Sequence, residues 1–231
     1  MRLYSLDKKA LLLKGNPTQF LNGLTSNALD KPQNAFLNMH GRIIATFDGL
    51  RLPAGGAGLS EEEYLIVIAS KAVEPLKAHV ERYLKINRST LTETPLNVYF
   101  DLDGDASSPG DQVIAQKQGR LIVTDRSYTN LISADEFTLF RLEHQLPLHT
   151  VDYQDEMLLN VHEYDFVSYT KGCFLGQEMV AKVHNRSKPT WALVVRYQDE
   201  LSIEEQAKMT SVVLNPLNDR YLGFVFVPTN S

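Results

Sequence analysis

Apolar and polar positions alternate between two periods along the first half of the chain. Leu11-Leu12-Leu13 runs into Lys14-Gly15 and reads as a strand stopped by a glycine. Asn16-Pro17 then reads as a helix start, because Asn can cap and Pro tolerates the first helical position. Phe20, Leu21, Leu24 and Leu29 follow at roughly helical spacing. Ala35 to Met39, the pair His40-Gly41, and Arg42 to Phe47 predict strand, tight turn, strand, with Gly41 free to adopt the positive φ of such a turn. Tyr64 to Ala69 is a further β-rich run. Ser70 to Ile86 predicts an amphipathic helix with Val73, Leu76, Val80 and Leu84 on one stripe and Pro75 near its first turn. Strand–helix–strand–strand–helix is the order of an α+β, ferredoxin-like arrangement.

The second half reads differently. Asp101 to Asp111 is rich in Asp, Gly, Ser and Pro and predicts an exposed, solvated acidic loop. Its glycine spacing and closing residue do not fit a calcium loop. Pro53 to Gly58 predicts a hairpin tip. Arg120 to Thr124 is a strand. Ser133-Ala134-Asp135-Glu136 is a capping-box pattern opening a helix with Phe137, Phe140, Leu142 and Leu146, which stops at Pro147. Another helix is expected around Gly176 to His184. After Pro189 the pattern is β again, over Trp191 to Tyr197, Met209 to Leu214 and Tyr221 to Val227. The expected organisation is an α+β domain over residues 1–188 and a small C-terminal β domain over 189–231.

Composition narrows the function classes. Among 231 residues, 23 Lys+Arg stand against 28 Asp+Glu, a net charge of −5. That balance disfavours direct, sequence-independent nucleic-acid binding, which needs a basic face. No apolar run approaches the roughly 20 residues of a membrane helix. The single cysteine excludes an intrachain disulfide or a four-cysteine metal site. The first residues lack a signal-peptide core, so a cytoplasmic location is expected.

The richest segment is Lys171-Gly172-Cys173-Phe174-Leu175-Gly176-Gln177-Glu178-Met179-Val180-Ala181-Lys182. A thiol at a helix N-terminus and beside a lysine has a lowered pKa and more thiolate, which makes Cys173 and Lys171 the catalytic candidates. Gln177 and Glu178 add an amide and a carboxylate at a helix start. A lone cysteine is also a small buried hydrophobe in many folds. His144 and His184 are conceivable bases for Cys173. The six histidines, His149 and the Glu163-flanked His162 among them, show no metal-ligand spacing and otherwise read as surface or satisfied core residues. Glu143, in Arg141-Leu142-Glu143, is either solvated, paired to Arg141, or a pocket-wall carboxylate that could accept two N–H bonds from a heterocycle.

Lys171-Gly172-Cys173-Phe174-Leu175-Gly176-Gln177-Glu178 resembles the Lys-Gly-Cys-Tyr-x-Gly-Gln-Glu signature of the YgfZ family. These are folate-binding proteins related to the aminomethyltransferase (T-protein) of the glycine cleavage system. Phe20 to Asn27 is similar to an early helix of that family, and Phe36 to Arg42, followed by Asp48 and Leu50, resembles its hairpin. Arg141-Leu142-Glu143 with Pro147 downstream resembles the T-protein helix whose glutamate holds the pterin ring. The resemblance implies a T-protein-like α+β fold with ferredoxin-like units around a central cavity. It implies tetrahydrofolate or a derivative as cofactor, with Glu143, Phe137, Arg141, Gln177 and Glu178 as its binding residues. It also implies an accessory role in [4Fe–4S] cluster assembly or repair, with assembly proteins or client enzymes as partners and with tRNA modification affected through them. The strand after the hairpin carries no acid before Asp48, where T-proteins place a catalytic aspartate. A folate-dependent aminomethyl or one-carbon transferase is therefore a second reading, and Cys–His acyl transfer at Cys173 a third.

Overall fold

A computed structural model describes residues 1–52, 62–162 and 165–229. The expected hairpin tip at 53–58 and the expected neighbour of His162, Glu163, lie outside the described residues. In chain order the elements are β1 (Leu3–Ser5), β2 (Lys8–Gly15), α1 (Pro17–Leu24), β3 (Gln33–Leu37), β4 (Ile43–Arg51), β5 (Glu62–Ala69), α2 (Val73–Asn87), β6 (Thr90–Glu93), β7 (Asn97–Asp101), β8 (Gln112–Ala115) and β9 (Arg120–Thr124). They continue with α3 (Ala134–Glu143), α4 (Leu158–Val161), α5 (Gln177–Lys182), β10 (Trp191–Tyr197), α6 (Ile203–Gln206), β11 (Thr210–Asn215) and β12 (Arg220–Pro228).

Three antiparallel sheets form the frame. The first has the order β3-β4-β5-β2-β6, the second β1-β7-β9-β8 and the third β10-β12-β11. On the first sheet, Leu11 and Leu13 point to the face covered by α1 and α2, where Phe20, Phe36, Phe47, Leu76 and Val80 close the core. Ala10, Leu65 and Val67 face the opposite way. They meet Val98, Phe100, Leu121 and Val123 of the second sheet, with Phe137 and Phe140 of α3. Burying both faces explains why β5 reads as an unbroken apolar run rather than an alternating one. The third sheet shares an apolar cluster with α3, in which Leu142 packs against Val213, Leu222 and Phe224.

The mixed α+β class holds, and the main helices and strands lie where the hydrophobic pattern placed them. Local chemistry departs in four places. Asn16 does not cap α1; its amide donates to the Asn87 carbonyl at 3.0 Å instead. Ser133 caps α3 by accepting from the Glu136 N–H at 3.1 Å, while Glu136 is drawn toward Arg2 at 3.7 Å. Asp101 is not a solvated loop carboxylate. It is fully buried, pairs with Arg120 at 3.0 Å, and accepts from the N–H groups of Gly104 and Ala106. Finally, α5 begins only at Gln177, and a π-turn over Val183–Ser187 replaces the last part of the expected helix.

Candidate functional site

Where the three sheets converge they leave a cavity of about 600 Å³. One wall is apolar and aromatic, built from Phe47, Phe100, Leu121, Phe137 and Leu146, and β10 closes the side with Leu193 to Val195. Phe137 is held flat by Tyr4, with ring centroids 4.2 Å apart, and braced by Phe100 at 5.3 Å. The exposed residues Lys117, Gln145 and Asp165 stand at the rim, whereas Thr46, Asp48, His149 and Tyr153 are buried.

The buried end carries two polar groups. In the first, the Asp48 carboxylate on β4 accepts from Lys8 Nζ at 2.6 Å and from Gln116 Nε2 at 2.9 Å. These contacts join the first strand of one sheet to the β8–β9 turn of another. In the second, the Tyr153 hydroxyl lies 2.9 Å from Thr46 Oγ1 and 2.8 Å from His162 Nε2. His162 also stacks on Phe166 at 3.9 Å, and the His149 ring lies 5.3 Å from Tyr153. Burial pushes the Tyr153 phenol well above its ordinary range. Burial pushes His162 down to about 3, and His149 down to about 4 with the Lys8 charge adding to the effect. All three groups are therefore neutral at pH 7.

Arg141 and Phe137 both line this cavity. Arg141 nonetheless has structural partners: it is 3% exposed and donates to Asp152 at 2.7 Å, to the Leu146 carbonyl at 3.2 Å and to Ser211 Oγ at 2.7 Å. Glu143 falls outside the cavity. It is the last residue of α3 and its side chain is exposed, because the helix turns that position away from the core. Of the two carboxylates that line the cavity among the described residues, Asp165 is exposed at the rim and Asp48 is the buried one.

The glycine-rich segment lies elsewhere. Gly176 has φ +85°, and a Cβ there would stand 2.5 Å from the Asn38 carbonyl of the β3–β4 turn. Gly41 approaches Met179 from the other side. The segment is thus seated on the hairpin through two glycines. Cys173 is exposed, lies four residues before α5 rather than at its N-terminus, and lines neither this cavity nor the smaller cleft described below. Lys171 does not reach it: its amine donates to the carbonyls of Thr25 at 2.5 Å and Asn27 at 3.0 Å. Burial lowers that amine to about 8. No hydrogen bond joins Cys173 to a histidine among the described residues, and His184 stacks on Tyr169 at 4.0 Å. Gln177 lines a separate cleft of about 320 Å³ with Ser168, Tyr169, Phe174 and His184, and Glu178 is exposed. The structure thus brings Phe137 and Arg141 together at the cavity and leaves Cys173, Lys171, Gln177 and Glu178 in a second locality. Lys8, Gln116, Tyr153 and His162 were not singled out in the sequence as cavity residues; each comes from a different segment and none belongs to a motif.

Among the described residues no group of His, Cys, Asp and Glu side chains is arranged to hold a metal ion, and no helix is long and apolar enough to cross a membrane.

No family model matches the chain. Two curated relatives share its sequence at low identity. One is an iron-sulfur cluster assembly factor IBA57 homolog, mitochondrial, from Mycosarcoma maydis, 26% identical over 203 residues, which cover 72% of this chain and 49% of that protein. The other carries the same name in Dictyostelium discoideum and is 24% identical over 259 aligned positions, covering 88% of this chain and 62% of that protein. The chain thus spans about half the length of one relative and under two thirds of the other. Among solved structures, the aminomethyltransferase T of the glycine cleavage system from Bartonella henselae superposes with a TM-score of 0.68 over 98% of this chain and 78% of its own, at 14% identity. The chain has the T-protein fold.

Proposed function

We propose that this chain is an accessory factor of iron–sulfur cluster assembly or repair that holds a reduced folate in its central cavity. The observation that carries the folate reading is the cavity itself. Its volume falls within the 300–1,000 Å³ usual for small-molecule sites, and it combines an aromatic wall with a few buried polar groups. The residues fit a pterin and its tail. Phe137 and Phe100 give the cavity an apolar aromatic wall, Asp48 offers an acceptor for a heterocycle's N–H edge, and Lys117 at the rim suits the carboxylates of a glutamyl tail. Asp48 takes the role that the resemblance assigns to Glu143, since Glu143 is outside the cavity. The assembly reading rests on the two relatives named as assembly factors. In it Cys173, exposed beside the hairpin, is a thiol offered to a cluster carried by a partner, because one thiolate cannot hold a cluster alone. Effects on tRNA modification would then arise through cluster-dependent enzymes.

Calorimetric titration with tetrahydrofolate and its 5-formyl derivative tests the first part. Asp48→Asn removes a charged acceptor and should cost about 1.5–3 kcal/mol, roughly tenfold to hundredfold in affinity. Glu143→Ala should bind as the unaltered protein does. The reverse pattern would return the pterin to the α3 terminus, and no binding to the intact protein would remove folate from the reading. For the second part, Cys173→Ser should lower the activity of [4Fe–4S] enzymes in cells that depend on this protein; full activity would exclude a role for the thiol.

One observation favours a transferase as the second reading. Asp48, the first acid after the hairpin, does line the cavity, where a carboxylate could stabilise a developing iminium charge. Methylene-tetrahydrofolate formed from an aminomethyl donor would establish it.

A further inference from the structure

Most buried polar atoms of the cavity end are partnered. Asp48 has Lys8 and Gln116, and Tyr153 has Thr46 and His162. Two side chains are exceptions: Arg141, whose Nε is unpartnered although its other two nitrogens are bonded, and His149. His149 is 8% exposed and lines the cavity, and neither ring nitrogen has a hydrogen-bond partner among the described residues; Nδ1 is fully buried and out of a ligand's reach, which leaves Nε2 as the nitrogen that can meet one. The sequence reading of His149 as a surface or satisfied core histidine therefore fails on both counts. A buried polar atom without a partner destabilises a fold, and native proteins leave few of them. Leu148 and Asp152, on either side, are tied down by the Arg141 network, so the ring is held at the wall by its neighbours rather than by bonds of its own.

We propose that His149 reads the ligand: its Nε2 makes a hydrogen bond to an uncharged N–H or carbonyl of the planar heterocycle that occupies the buried end of the cavity. This inference rests on the folate reading above and adds to it the residue that discriminates the ring from the tail. The place in the cavity supports the ring. His149 lies with Thr46, Asp48 and Tyr153 among the buried lining, whereas Lys117, which suits carboxylates, is exposed. The charge state supports an uncharged partner. Burial and the adjacent Lys8 keep the imidazole neutral at pH 7, so Nε2 presents a single donor or acceptor, set by the tautomer, and does not attract an anion.

The proposal predicts opposite signs for stability and binding. His149→Leu keeps the volume and removes both nitrogens. The ligand-free variant should melt a few degrees higher than the unaltered protein, because an unpartnered buried atom is gone. It should bind 5-formyl-tetrahydrofolate about tenfold more weakly, the loss of one hydrogen bond. His149→Gln, which restores a neutral donor and acceptor, should recover most of that affinity. A reduced pterin lacking the aminobenzoylglutamate tail should show the same fold-loss on His149→Leu. Four results would overturn the proposal. Unchanged folate affinity in His149→Leu removes His149 from recognition and leaves the folate reading standing. A His149→Leu protein that melts lower, or does not fold, shows that the ring supports the fold. A penalty that vanishes with the tail-less pterin places His149 at the tail. An intact protein that binds neither compound removes both this inference and the folate reading.

Discussion

Gly172 and Gly176 flank the same cysteine and look equivalent in sequence, yet they face different constraints. A Cβ on Gly172 would meet nothing within 4 Å. One on Gly176 would require a strained φ of +85° and would stand 2.5 Å from a backbone carbonyl that cannot swing aside. Gly172→Ala should therefore change stability by less than about 0.5 kcal/mol, while Gly176→Ala should cost about 2–4 kcal/mol. Urea denaturation of both variants checks the contrast, and equal losses would mean that the segment does not seat on the hairpin. Residue-scale chemistry was only partly legible in the sequence. Phe137 and Arg141 could be placed at the cavity because a resemblance pointed to their helix. Glu143 could not be tested by pattern, since its exposure depends on how α3 rolls against the sheets, and helical spacing alone left a carboxylate at that terminus free to be solvated or buried. Lys171 seemed adjacent to Cys173 because sequence neighbours are close along the chain; their side chains diverge once the amine finds the carbonyls of Thr25 and Asn27.

At the scale of elements, α3 is the hinge between cavity and C-terminal sheet, and one buried ion pair fastens it. Asp152 accepts from Arg141, the Leu148 N–H, Thr210 Oγ1 and Ser211 Oγ, so a single carboxylate joins α3, the following loop and β11. Breaking such a pair leaves a buried charge uncompensated and costs about 3–5 kcal/mol. Arg141→Met should fall in that range. Asp152→Ala should cost at least as much, because it strands two hydroxyls, an amide and the guanidinium together. Chemical denaturation followed by the fluorescence of Trp191, on the third sheet, should show the loss; an Arg141→Met protein as stable as the unaltered one would reduce the pair to a bystander. The helix α2 was readable because its buried stripe of Val73, Leu76 and Val80 contrasts with an exposed face, and β5 and β9 because nearly every side chain in them is buried. Short strands were not. β6, with sequence Thr-Leu-Thr-Glu, is largely exposed and shows no apolar alternation. β1 is three residues long and is defined by partners distant in sequence, β7 nearly 100 positions away and a bridge from Leu3 to Leu131.

For the molecule as a whole, the packing of three sheets around one cavity makes acid sensitivity a consequence of the fold. His149 and His162 sit in that centre with pKa values down to about 4 and about 3, and burial also lowers His79 on α2. In the unfolded chain each would titrate near 6.5. Between the folded and unfolded values the unfolded chain binds more protons, so stability rises with pH over that window and is lost as pH falls from about 6.5 toward 4. His149 alone represents on the order of 3 kcal/mol across it. Glu81, Glu93, Asp103, Asp199 and Glu205 are surface carboxylates whose hydrogen-bond partners lower their pKa values, which moves them away from this range. The slope between pH 6.5 and 5 is therefore chiefly that of the histidines. Lys171 acts at the other extreme. Its amine is lowered to about 8, so the cost of burying its charge is relieved as pH rises from 8 toward 10.5. Urea midpoints measured at pH 7.5, 6.0 and 5.0 should fall steadily, and His149→Leu should flatten the fall. A midpoint independent of pH across that range would mean that the imidazoles are solvated, and that the three sheets do not close around them.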